Sequence, residues 1–190
     1  VTASAERPLL FLDVDGPLLP FGPTYQPPYR PAPTASPDAN PLLARLDPAL
    51  GPRLAALPCT LVWATAWQEE ANERLGPLLG LPQLPVVEWS ELAEQDALDQ
   101  RAGLHWKTRT LLACAAGRPF AWVDDEMTDA DRHWVTAHHP APALLHRVDP
   151  GLGLTEPDFA TLDAWLRDAV ATDRAGTAAS CASADSRAPR

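Results

Sequence analysis

Short apolar runs alternate with segments of helical period along this chain, and the alternation repeats five times. Arg7 to Asp13 is an apolar run that ends in an acid, which predicts a buried strand. Cys59 to Ala64, Leu84 to Glu88, Pro119 to Asp124 and Ala143 to Val148 predict four more. These runs are apolar at both odd and even positions, so each predicted strand is covered on both faces. Helical periodicity lies between them: Trp67 to Leu79, with a break at Gly76-Pro77, Trp106 to Ala116, ending at Gly117, and Thr128 to Ala137. Leu42, Leu43, Leu46, Leu50, Leu54 and Leu57 give a helical pattern interrupted near Pro48 and Pro52, and Asn40-Pro41 reads as its N-cap and first position. Thr155 with Asp158 predicts a capping box, followed by one apolar face of Phe159, Leu162, Trp165, Leu166 and Val170. The expected fold class is α/β, a Rossmann-like three-layer sandwich with a five-stranded parallel sheet and helices on both sides.

Composition adds bounds to this picture. The chain has 190 residues, enough for one domain with a tail, and a hydrophobic share of 46% supplies a single core. The expected domain is residues 1–172, with a proline-rich loop at 17–41 and a disordered tail at 173–190, where apolar periodicity ends. Asp and Glu number 25 against 15 Lys and Arg, a formal charge of −10, which argues against bulk nucleic-acid binding. No run approaches the roughly 20 apolar residues of a membrane span. Val1 to Pro8 lack the pattern of a signal peptide. Cys59, Cys114 and Cys181 are too dispersed for a disulfide framework or a zinc site. Reduced thiols and a cytoplasmic location are the expectation. His105, His133, His138, His139 and His146 also lack zinc spacing, and Glu88, Glu91, Glu94, Asp96 and Asp99 read as a solvated acidic face.

In a parallel sheet, ligands gather at the carboxyl ends of the strands. Four groups stand at such positions: Asp13-Val14-Asp15-Gly16 after the first strand, Thr65 after the second, Lys107 at the start of a helix, and Asp124-Asp125 after the strand beginning at Pro119. Each alone has an ordinary structural explanation; their order along one sheet edge does not. Carboxylates brought together repel unless a cation joins them. Hard oxygen donors suit Mg²⁺, which also takes substrate phosphate. Asp13 fits a nucleophile and metal ligand, Asp15 a proton carrier, Thr65 a donor to a phosphoryl oxygen, and Lys107 a fixed positive charge. Asp124 closes the metal site.

These residues resemble the four motifs of the haloacid-dehalogenase-like (HAD) superfamily of phosphohydrolases, over about residues 7 to 170. Leu-Phe-Leu-Asp13-Val-Asp15-Gly16 is similar to the first motif, Leu-Val-Trp-Ala-Thr65 to the second, Lys107 to the third and Trp-Val-Asp124-Asp125 to the fourth. Within the superfamily the chain looks like the HAD domains of Swiss army knife RNA repair proteins. The resemblance implies a Mg²⁺-dependent phosphatase that hydrolyses a phosphomonoester through an aspartyl-phosphate on Asp13, with Asp15 as acid and then base. It implies metal ligation by Asp13, the main-chain carbonyl of Asp15 and Asp124, with Asp125 acting through water or behind the ligands.

Trp67 follows Thr65 closely and either lines the substrate pocket, stacking on a base or aromatic leaving group, or packs on the sheet edge. The segments between motifs leave no room for a large cap domain. Pro20, Phe21, Tyr25, Tyr29 and Arg30 on the proline-rich loop either meet the leaving group or cover the sheet edge. The expected substrate is a phosphorylated small molecule or a nucleic-acid end. Two other readings use the same residue types: a phospho-acceptor domain of the response-regulator kind, and a catalytically silent scaffold. A receiver carries its acid pair after strand one and its acceptor Asp after strand three, the reverse of the order here.

Overall fold

The computed structural model describes residues 7–23, 25, 40–89 and 98–184. Four parallel strands form one sheet in the order β2-β1-β3-β4: β1 (Leu9–Leu12), β2 (Thr60–Trp63), β3 (Phe120–Asp124) and β4 (Ala143–Arg147). β1 is central, pairing Leu10 with Leu61 on one side and with Ala121 on the other. Alternate residues of a strand face opposite sides, and the core divides accordingly. Leu10 and Leu12 pack with Leu54, Leu75, Leu79, Leu162 and Leu166, whereas Leu9 and Phe11 pack with Leu111, Ala115, Phe120 and Val135. The first layer contains α1 (Leu50–Ala56), α2 (Gly76–Leu79) and α5 (Glu156–Ala184); the second contains α3 (Thr108–Ala115) and α4 (Asp129–His138).

The sheet has four strands where the pattern predicts five. The segment 84–88 lies beside β2 but contributes a single bridge, Trp63 to Val86. Trp63 donates to the Pro85 carbonyl at 2.9 Å and its own carbonyl accepts from Val87 at 2.9 Å. Pro82 and Pro85 carry no N–H, so the segment cannot extend the ladder.

Local chemistry explains the helix ends. Asn40 caps a 3-10 turn at Pro41–Arg45 by accepting from the Leu42 amide at 3.0 Å. The chain does not break at Gly76-Pro77 as its composition predicts: a π-helical turn over Ala71–Leu75 runs directly into α2, Pro77 sits in the first turn where no N–H is missed, and the helix ends only at Gly80 in the left-handed region. Thr128 and Asp131 form a full capping box on α4. Thr155 and Asp158 bond at the start of α5, through the Thr155 amide at 2.8 Å and its hydroxyl. Helical backbone in α5 continues past residue 172 to Ala184, through a stretch rich in alanine, the strongest helix former. Residues 24, 26–39 and 90–97 lie outside the described residues, and with them Tyr29, Arg30, Glu91, Glu94 and Asp96. Asp99 does not belong to a solvated face: it is buried and paired with Arg109 at 2.6 Å.

No described helix is long and apolar enough to cross a membrane. The chain leaves β1 toward β2 and leaves β3 toward β4 on the other side, so the crevice where connections diverge lies above the carboxyl ends of β1 and β3.

Candidate active site

Asp13 follows β1 directly and Asp124 ends β3, and the Asp13 amide donates to the Val123 carbonyl at 3.0 Å. Neighbouring parallel strands thus deliver the two carboxylates to one rim. Lys107, immediately before α3, reaches between them; its ammonium lies 2.8 Å from Asp13 Oδ2 and 2.8 Å from Asp124 Oδ2. All three residues are buried, with Lys107 only 3% exposed. Asp13 Oδ1 accepts from the Val14 amide at 2.8 Å. Asp124 is further held by the Trp122 indole at 3.1 Å and the Glu126 amide at 3.0 Å.

Asp125 completes the group. Among the described residues, Asp13, Asp124 and Asp125 each offer one carboxylate oxygen, all within 4.8 Å of one another. Every donor in that set is a hard oxygen, and three carboxylates against one ammonium leave negative charge for a divalent cation, so the residues fit Mg²⁺. Burial pushes the Asp13 carboxyl up to about 6; Lys107 pulls it down and Asp124 adds to the rise. Burial, and then Asp124, also push Asp125 up to about 6.

Asp15 sits on the turn that follows, half-buried, and its carboxylate stands outside that three-acid cluster. Its Oδ2 accepts from the Trp67 indole at 3.0 Å. Thr65 is fully buried just past β2, and its hydroxyl accepts from the Trp67 amide at 3.3 Å. Its carbonyl accepts from the Trp89 indole at 3.0 Å. Thr65, Lys107 and Trp67 therefore all attach to the β1–β3 rim or to the loops beside it.

A family model described as the HAD domain in Swiss Army Knife RNA repair proteins matches residues 9–159. The chain belongs to this family. No curated protein and no solved structure gives a significant match. The matched span of the HAD domain runs from the first residue of β1 into the start of α5 and contains every residue of the rim.

Several residues that support the HAD site escape a reading by motif. Trp122 lies two residues before Asp124, on the same face of β3, so strand period alone could have drawn attention to it. Asp131 is fully buried and accepts from the His105 amide at 2.8 Å, the Thr108 hydroxyl at 2.5 Å and the Thr128 amide at 2.7 Å. Nothing in the sequence marks its second duty of fastening the Lys107 turn to α4. His105 Nδ1 accepts from the Lys107 amide at 3.2 Å, and burial holds this imidazole below its usual range. It is thus a neutral support under the lysine, and nothing in its sequence setting distinguishes it from the other histidines. Arg147 donates to the Asp125 carbonyl at 2.8 Å from the end of β4.

Gly16 has φ +83°, and a Cβ there would stand 2.7 Å from the Asp125 carboxyl carbon. Both facts require glycine. Gly16→Ala is expected to cost about 1–3 kcal/mol of stability and to displace Asp125 from the cluster. Thermal melts with and without Mg²⁺ check this; an unchanged melting point with full Mg²⁺ stabilisation would contradict it.

Proposed function

We propose that this HAD domain is a Mg²⁺-dependent phosphatase that hydrolyses a phosphomonoester through an aspartyl-phosphate on Asp13. The observation that carries the reading is the placement of Lys107 between Asp13 and Asp124, with Asp125 beside them. Asp13, Asp124, Asp125 and the main chain at Asp15 would hold the ion. When bound, Mg²⁺ supplies charge neutralisation for a phosphoryl group next to three acids. Asp13 attacks phosphorus, and Lys107 offsets the repulsion between its carboxylate and the incoming phosphate. Thr65 donates its hydroxyl to a phosphoryl oxygen. Asp15 gives a proton to the departing oxygen and later takes one from water.

The substrate class proposed is a phosphorylated small molecule or a nucleic-acid end; the family description, which names RNA repair proteins, supports including the latter. Trp106, 42% exposed and edge-on to Trp89 at 4.6 Å, offers an aromatic surface on the residue next to Lys107. Phosphate release from para-nitrophenyl phosphate, nucleotides, sugar phosphates and phosphorylated RNA ends, with Mg²⁺ or with EDTA, tests the proposal. Metal-dependent release with an acid-stable, base-labile phosphoenzyme is the expected result. Absence of release across the whole panel would point to a silent scaffold. Stoichiometric labelling of Asp13 without turnover would point to a phospho-acceptor.

A further inference from the structure

We infer that Trp67 is a positioning residue for Asp15, holding one of its two carboxylate oxygens so that the other faces the reacting group. The inference rests on the phosphatase reading and adds to it a residue from the second strand's loop. Trp67 is locked from its backbone outward. Its amide donates to the Thr65 hydroxyl, its carbonyl accepts from Glu70 at 3.0 Å, and the next residue, Gln68, sits at φ +46° with its amide on the Thr65 carbonyl at 3.3 Å. A non-glycine residue in that region marks a turn determined by its surroundings. The Trp67 ring packs, half-buried, on the core layer under α1 and α2. From there its Nε1–H reaches Asp15 Oδ2 across 52 residues of chain.

An indole N–H only donates. It therefore bonds a bare carboxylate or carbonyl oxygen more strongly than an oxygen that carries a proton. With Oδ2 occupied by Trp67, the transferable proton belongs on Oδ1, which has no protein partner among the described residues. Asp15 itself is placed by a turn in which the Gly16 amide donates to the Leu19 carbonyl at 3.2 Å and Asp15 bridges to Leu19. The turn fixes the backbone, and Trp67 fixes the side-chain torsion. In the first step a bond forms between Asp13 and phosphorus as the ester P–O bond breaks. The bond pair leaves on the alcohol oxygen, which takes the proton from Asp15 Oδ1. In the second, water attacks phosphorus, its proton passes to the same oxygen, and the Asp13–phosphorus bond breaks to release phosphate.

A proton donor matters most for a poor leaving group and little for a good one. Trp67→Phe removes the donor and keeps an aromatic ring. In the full chain with Mg²⁺, kcat/KM for an alkyl phosphate should fall roughly 10- to 100-fold, and for para-nitrophenyl phosphate by no more than about 3-fold. In an Asp15→Asn background the same substitution should cause no further loss with the alkyl ester. Equal losses for the two esters would overturn the inference while leaving the phosphatase reading intact. Inactivity of the wild type toward both esters would overturn the phosphatase reading, and the inference with it. Should Trp67→Phe fail to fold, the ¹⁵N-indole resonance of Trp67 in wild type and Asp15→Asn decides: it should move, and an unmoved resonance would overturn the inference.

Discussion

Lys107→Met should lower the stability of the metal-free protein by about 3–5 kcal/mol and abolish phosphate release. The side chain is buried between two buried carboxylates, each 2.8 Å from its ammonium. Methionine fills a similar volume but leaves Asp13 and Asp124 facing one another without a cation. A buried pair broken on one side costs more than the pair contributes, because the remaining charges lose both water and partner. For a domain of this size the melting temperature should drop by roughly 6–20 °C in EDTA. Mg²⁺ should recover part of that loss, since it supplies positive charge to the same carboxylates. Lys107→Arg should not restore activity, because a planar guanidinium does not substitute for a compact ammonium in so enclosed a position. Melts in EDTA and in Mg²⁺, with an assay alongside, measure each part. A melting temperature unchanged in EDTA would mean that the two carboxylates do not depend on Lys107.

Asp13→Asn should reduce turnover by a factor on the order of 10⁴ or more, since it removes the attacking oxygen. The same change should stabilise the metal-free protein near neutral pH. The reason lies in the sign of the Asp13 shift. Its carboxyl is raised from 3.8 to about 6, first by burial, so the folded state holds the proton more tightly than the unfolded chain. Such a group contributes full stability below pH 3.8 and loses that contribution as pH rises through about 6. The loss amounts to about 3 kcal/mol, and asparagine does not incur it. In EDTA, the stability difference between Asp13→Asn and wild type should therefore widen from pH 4 toward pH 7 and then level off. Taking the difference isolates Asp13 from Asp125, which is raised likewise, and from Asp158 and His105, which are lowered. Urea unfolding at several pH values reads it directly. A constant difference across this range would contradict the assignment of burial as the dominant influence on Asp13, and full activity of the variant would remove Asp13 as nucleophile.

Both predictions concern residues that stand out in the sequence, yet their magnitudes come from burial and contact that no motif displays. Asp13 and Asp124 are legible because each ends an apolar run, and a strand end is a local property of the chain. The parallel class is legible for a similar reason, since runs apolar on both faces must be covered twice. The stretch at 84–88 shows the limit of such reading: its composition is that of a strand, but Pro85 withholds a donor that pairing needs. Asp99 shows another, because an acidic segment gives no hint which of its members finds an arginine.

Local pattern thus determined where strands, caps and turns begin, and which acids stand at their ends, because neighbours along the backbone settle those matters. Tertiary packing alone decided that Lys107 enters between two strands, that Asp131 ties its turn to a distant helix, and that Trp67 reaches Asp15 from another loop. Those contacts join residues far apart in the chain, and their identity depends on strand order and side-chain direction, which exist only once the layers have closed over the sheet.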